Sequence, residues 1–324
     1  MRISLVFTTL LSLTITASGA TTRATDVKLR VVVLSDFNGP YGATTYPAPL
    51  EWVVKRILQE WKPQLVLSAG DVIAGQSARL PASSFPKMWA GFERDVRRPL
   101  AAAGIPFAQA IGNHDGSSSG GFERERIAAR TYWAAHKPKL EWLDATHFPF
   151  HYSFRAGGVF VAVVDASSAK LQNRAWLAAA LLTEAAKSAG QRLVVGHLPL
   201  YGVSIGRNTL GNVLQDAERL RALLEGARVT MYLSGHHAAY YPGQRGALRV
   251  FASGGIGARD YVEHPGTARS TVSLLEFSDN GIKDTTFDAV SGARIARSSL
   301  PPRLNGLNGS ITRDDLPNDT DKPR

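Results

Sequence analysis

The sequence predicts an α/β fold. Three observations lead there. Short apolar, β-branched runs alternate with stretches of helical period. Each run closes on a small residue followed by Asp, Asn or His, and no repeat or long low-complexity tract breaks the order. At 324 residues, with 44% hydrophobic and 20% charged, the chain falls in the soluble globular class with ample surface for a core.

The elements follow in order. Leu29–Leu34 reads as a strand ending in Ser35-Asp36. Pro49 to Trp61 is helical, because Val53, Val54, Ile57, Leu58 and Trp61 recur at helical spacing and Pro63 stops the run. Leu65–Ser68 is a strand ending in Ala69-Gly70-Asp71. Met88–Ala103 is a helix stopped near Gly104, and Ile105–Ile111 a strand running into Gly112-Asn113-His114-Asp115. Val159–Val164 ends in Asp165, and Gln172–Lys187 is a helix followed by Gly190. Leu193–Val195 ends in Gly196-His197, Asn212–Glu225 is helical, and Val229–Leu233 ends in Ser234-Gly235-His236-His237. Leu248–Ala252 and Thr271–Phe277 read as late antiparallel strands.

Both ends read differently. Residues 1–20 combine Arg2, an apolar run from Ile3 to Ala17 and small residues at Ser18-Gly19-Ala20, the layout of a secretory signal. The expectation is an exported protein, periplasmic or extracellular, with no membrane span after cleavage. No Cys precedes the cleavage point, so lipid attachment there is excluded. From about Ser298 to residue 324, Pro, Asn, Gly, Asp and Arg replace apolar periodicity, which predicts a disordered tail behind a domain at 27–297.

The chain has no Cys, so any metal site uses Asp, Asn and His. Its formal charge of +10 favours anionic substrates or surfaces. The basic residues are scattered, and Arg124, Arg126 and Arg130 have Glu123 and Glu125 among them, which reads as surface charge with no specific nucleic-acid site.

In an open α/β sheet, ligands bind at the carboxyl ends of strands. Five such ends carry donors here: Asp36-Phe37-Asn38, Gly70-Asp71, Gly112-Asn113-His114-Asp115, Gly196-His197 and Gly235-His236-His237. Two carboxylates, an amide oxygen and at least two imidazoles suit a divalent or trivalent ion such as Zn, Mn or Fe.

That order of motifs resembles the calcineurin-like metallophosphoesterase superfamily, which includes purple acid phosphatases and cyclic-nucleotide phosphodiesterases. The family pattern runs D-x-H, G-D-x-x-D, G-N-H-[DE], a lone His, then G-H-x-H, and Gly112-Asn113-His114-Asp115 is its most specific match. The likeness extends from about Leu29 to Tyr241, including Gln172 to Leu177 before the lone His. It implies a two-layer β-sandwich flanked by helices, a four-layer αββα arrangement, with two metals sharing Asp71. It implies that Asp71, Asn113, His197 and His236 hold one ion, and that Asp36 and the residues at 38 and 238 complete the second. It also implies hydrolysis of a small anionic phosphoester by a metal-bound hydroxide, with His114 contacting phosphate or protonating the leaving oxygen and Asp115 orienting that imidazole.

Departures fall on the second ion. Position 38 is Asn38, position 238 is Ala238, and the second Asp of G-D-x-x-D is Ala74. The expectation is therefore one firm and one weakened metal site, with His237 as a replacement ligand. A rival expectation is a catalytically weakened relative that binds a phosphorylated ligand. A third, a serine esterase using Ser204 in Gly202-Val203-Ser204-Ile205-Gly206, lacks the preceding strand and following helix that such an elbow needs. Gly254-Gly255-Ile256-Gly257 reads as a turn. Tyr41 to Tyr46 is placed over the site, Tyr201, Tyr240 and Tyr241 stand between pocket wall and core packing, and Arg207 is a candidate phosphate contact.

Overall fold

A computed structural model describes residues 26–317; the predicted signal and residues 318–324 lie outside that range. The first half contains strands β1 (Leu29–Val33), β2 (Leu65–Ser68) and β3 (Phe107–Gln109) with helices α1 (Pro49–Arg56), α2 (Ser84–Phe92) and α3 (Arg98–Ala102). Next come α4 (Asn113–Gly116), α5 (Glu123–Ala135), β4 (Glu141–His147), β5 (His151–Ala156) and β6 (Val159–Val163). Then α6 (Arg174–Leu181), α7 (Glu184–Lys187), β7 (Gln191–Val195), α8 (Ala217–Gly226) and β8 (Met231–Ser234) follow. The chain closes with β9 (Tyr240–Arg245), β10 (Leu248–Ser253), β11 (Thr271–Ser278), β12 (Gly281–Asp288), β13 (Arg303–Gly306) and β14 (Gly309–Arg313).

Two sheets form. One has the order β12-β11-β1-β2-β3 and the other β13-β14-β9-β10-β8-β7-β6-β5-β4. Strands β1, β2 and β3 run parallel, as do β6, β7, β8 and β10. The period-2 alternation of β1 shows how the layers arise. Val31 and Val33 join the core between the sheets, with Leu65, Leu67, Val161, Val163 and Val195. Val32 and Leu34 face the opposite way, onto Val53, Ile57, Met88 and Phe92 of the helices outside the first sheet. Leu177, Leu181, Leu220 and Leu224 bring α6 and α8 onto the far side of the second sheet. The result is the αββα arrangement.

Several elements depart from the sequence expectation. The helix at Gln172–Lys187 is two pieces, because α6 closes at Leu182 and Thr183 turns to extended backbone, its side chain accepting from the Ala186 N–H to cap α7. The helix expected from Asn212 starts at Ala217, and residues 207–216 instead form a loop that reaches the site. Helix α5 was not expected. Its Glu125 points inward and its Arg126 pairs with buried Asp165, so this basic stretch is not only surface charge.

The expected disordered tail is corrected over 298–317. Hairpin β13–β14 extends the second sheet by pairing β14 with β9. Its apolar share is small, with Leu304 and Ile311 buried. Polar anchoring does the rest: Asp314 pairs with Arg249 and Arg297, both of which also reach Asp284. Such anchoring has no periodic signature, which is why composition pointed the other way. No helix among the described residues is long and apolar enough to cross a membrane.

Candidate metal centre

The parallel strands of both sheets send their carboxyl ends to one place. Asp36, Asp71 and Asn113 arrive from β1, β2 and β3; His197 and His236 arrive from β7 and β8. The approach is close enough to demand glycine. A Cβ on Gly112 would overlap Asp71 Oδ1 and its backbone nitrogen, and one on Gly235 would overlap Asp36 Oδ2. Asp36, Asp71 and His236 hold φ of 49°, 58° and 63°, left-handed values that cost about 1–3 kcal/mol each and cluster at functional sites.

Asp71, His197 and His236 bring donor atoms within 4.8 Å of one another, all buried. Asn113 joins them: its Oδ1 lies 2.7 Å from His197 Nε2, which is 3.3 Å from Asp71 Oδ2. The orientation of each donor is fixed from behind. His197 Nδ1–H donates to the Ala69 carbonyl at 2.7 Å, so Nε2 is the atom turned to the site. The Asn113 amide nitrogen donates to Gln76 Oε1, which turns its oxygen inward. Asn212 Nδ2 donates to Thr209, leaving Asn212 Oδ1 to accept from His236 Nε2 at 2.9 Å. His236 Nδ1 is then buried with no partner.

These contacts test whether a cation fits. His197 Nε2 faces two oxygens, Asn113 Oδ1 and Asp71 Oδ2, so something positive must lie among them. In the metal-free protein it is a proton: burial lowers the His197 pKa, but Asp71 overrides this and raises it to about 9. Asp71 answers in kind, with burial outweighed by His197 and His114 so that its carboxyl stays ionised below the usual range. Burial, with His197 and Arg207 nearby, keeps His236 neutral. An ionised carboxylate, an amide oxygen and two imidazoles, one with an orphaned nitrogen, fit a borderline divalent ion.

The second half of the constellation does not assemble. Asp36 lies beside the cluster, accepting from the Ser35 hydroxyl and the His236 N–H, and burial raises its carboxyl to about 7. Its Oδ2 has no partner. The Asn38 amide turns to the Gly39 carbonyl at 3.4 Å. His237 does not lean in. Its Nδ1 accepts from the Val203 and Ser204 N–H groups and its Nε2–H donates to the Asn212 carbonyl, so both ring nitrogens are engaged with backbone.

His114 is 9% exposed. Its Nδ1–H donates to the Gly75 carbonyl at 3.0 Å, and its ring stacks on Tyr41 at 5.2 Å, as the placement of that loop anticipated. Asp115 does not orient it. The Asp115 carboxylate instead accepts from the N–H groups of Asp71, Val72, Ile73 and Gly112 and from Gln109 Nε2, clamping the two ligand loops together. Tyr201, Tyr240 and Tyr241 are buried and bond Glu218, Asp284 and the Pro301 carbonyl, so they are core. Ser204 sits in a loop with no strand leading in or helix leading out. Sequence reasoning missed Gln76 and Asn212; Asn212 was hidden inside an expected helix, and Gln76 carries no motif.

Fold and donor set together define a metallophosphoesterase. The chain belongs to the calcineurin-like phosphoesterase family, whose match covers residues 29–240. A purple acid phosphatase from yellow lupin (Lupinus luteus) seeds is similar in structure, with a TM-score of 0.58 and 17% identity over 82% of this chain and 52% of that one. This chain therefore spans about half of the lupin protein's length. A dimetal phosphatase from Danio rerio matches with a TM-score of 0.51 and 13% identity, covering 80% of this chain and 99% of that one. At such identities both establish the shared fold. No curated protein sequence matches the chain significantly.

Proposed function

We propose that this metal-dependent phosphoester hydrolase works on a small phosphoester with one firmly held ion, ligated by Asp71, Asn113, His197 and His236. The observation that carries the reading is the convergence of buried ligand atoms from Asp71, His197 and His236 within 4.8 Å of one another, with Asn113 Oδ1 beside them. Zn, Mn or Fe suits these donors. Bound there, the ion supplies charge neutralisation for phosphoryl oxygens and lowers the pKa of water.

The chain's own residues supply the rest. Gln76, Ala69 and Asn212 aim the donors. Asp115 holds the Asp71 and Asn113 loops in register. His114, with Nδ1–H committed to Gly75, has its Nε2 free to contact the phosphate or to pass a proton to the leaving oxygen. The N-terminal segment supports export as the setting for this activity.

Asn38 and Ala238 favour a second reading, a weakened relative that binds a phosphorylated ligand without turnover. One experiment separates the readings: metal analysis by mass spectrometry on protein purified without chelator, then aryl phosphate, bis-aryl phosphate and aryl ester, each with and without chelator. One equivalent of metal with chelator-sensitive phosphate release is expected. Phosphate binding without turnover points to the second reading, and chelator-resistant ester cleavage overturns both.

A further inference from the structure

Two arginines border the site, Arg259 with its backbone beside Ala238 of the donor-poor half and Arg207 against His236. The loop after β10 runs between Asp36 and Ala238: the Gly257 N–H donates to the Asp36 carbonyl at 3.1 Å, and the Arg259 N–H to the Ala238 carbonyl at 2.9 Å. Arg259 therefore springs from the position next to the absent donor. Arg207 comes from the other side, with Nη1 3.1 Å from Asn212 Oδ1 and 3.4 Å from His236 Nε2.

Among the described residues neither guanidinium has a carboxylate partner. Other half-buried arginines do: Arg97 with Glu93, Arg126 with Asp165, Arg249 with Asp284 and Asp314, Arg297 with Asp284. Burial and the nearby charge of Arg207 lower the Arg259 pKa, and only Asp36 works against them. Like charges near one another, with no carboxylate paired to either and only Asp36 of opposite sign nearby, form a receptor for an anion, and guanidinium forks match phosphoryl oxygens.

We propose that Arg207 and Arg259 form a phosphoryl clamp that takes over the charge-neutralising part of a second metal and selects dianionic phosphomonoesters over phosphodiesters. The selection follows from oxygen counting. A monoester has three unesterified oxygens, so one can face the single ion and two remain for two guanidiniums. A diester has two, leaving one, and half the charge. This rests on the single-ion reading of the site given above.

The test uses the full chain and inorganic phosphate. Calorimetry on metal-free protein reads the clamp without activity. Arg207→Gln and Arg259→Gln are each expected to weaken phosphate binding about tenfold, the scale of a charge-assisted hydrogen bond, while exposed Arg219→Gln leaves it unchanged. In the metal-loaded enzyme, the ratio of kcat/KM for aryl phosphate over bis-aryl phosphate is expected to fall about tenfold per variant, with metal content constant. Phosphate affinity within twofold of the parent in both single variants overturns the clamp, as does an unchanged ratio. A parent that shows no chelator-sensitive turnover sinks the catalytic reading instead, and the metal-free calorimetry still decides for or against the clamp.

Discussion

The two halves of the site share a backbone and differ in chemistry. Asp71, Asn113, His197 and His236 each have a partner that fixes the side chain's direction. Across from them, Asp36 keeps an unpartnered buried oxygen, Asn38 turns to its own neighbour, and Ala238 offers no donor. Yet the backbone of the poorer half remains built for a ligand. Ala238 holds φ at 45° and Asp36 at 49°, left-handed values like those of Asp71 and His236. Ala238 keeps this conformation with no donor on its side chain, which teaches that donor identity and loop geometry are separable. On the single-ion reading proposed above, the fold carries the scaffold of two ions and the ligands of one.

The sharpest way to break this comparison is to remove one donor from each half. His197→Ala takes a ligand from the complete half. It is expected to abolish metal retention and, by forfeiting several kcal/mol of charge stabilisation, to cost about three decades in kcat/KM. Asp36→Asn removes a charge from the other half and is expected to leave one tightly held equivalent. Metal content after dialysis reads both. Equal losses of metal would show that Asp36 belongs to the same centre and would erase the distinction between halves.

A gain-of-ligand variant sharpens it from the other side. Because the backbone at Ala238 already holds the left-handed conformation, Asn38→His with Ala238→His is expected to raise the bound metal from one equivalent to two, measured by mass spectrometry on the dialysed protein. Turnover should change far less than in His197→Ala, since the complete half is untouched. If the double variant still binds one equivalent, side-chain identity is not what limits the second ion, and the loop carrying Arg259 is the obstacle.

How much of this was legible follows from the kind of signal each feature leaves. Strand ends with donors were readable because apolar periodicity fixes β1, β2, β7 and β8, and the glycines before Asp71, Asn113, His197 and His236 mark close approach. What surrounds the donors was not. Asp115 follows His114 in sequence, so a side-chain partnership was the natural expectation, but on the short helix α4 its carboxylate turns back onto four backbone N–H groups. His237 adjoins His236, and only the path of the Val203–Ser204 loop decides that its ring nitrogens are taken. Gln76 reaches the site through a loop with no period at all. The β13–β14 hairpin was obscured because ion pairs around Asp314 and Asp284, rather than an apolar stripe, hold it.

The smallest expected effect probes why the complete half stays complete. Gln76 orients Asn113, and the Gln76 N–H is itself held at 3.0 Å by Glu125 Oε1. Glu125 is 3% exposed, its Oε2 has no partner, and burial raises its carboxyl to about 7, with the Gln76 and Ser77 N–H groups opposing. The sign of its stability effect follows. Below the unfolded value of about 4.5 both states are protonated and the carboxyl costs nothing. Between there and about 7 the unfolded chain ionises first, so stability falls as pH rises; above that the native carboxyl is ionised too and the loss is complete, at about 2–3 kcal/mol. Glu125→Gln retains the acceptor for Gln76 and never charges. It is therefore expected to match the parent near pH 4.5 and exceed it by about 2 kcal/mol at pH 8 in urea unfolding of the metal-free protein, with metal affinity unaltered. A stability difference that does not vary with pH would mean that Glu125 ionises freely in the native state. The support behind Asn113 would then be an ordinary surface contact rather than a buried acid held in place for the site.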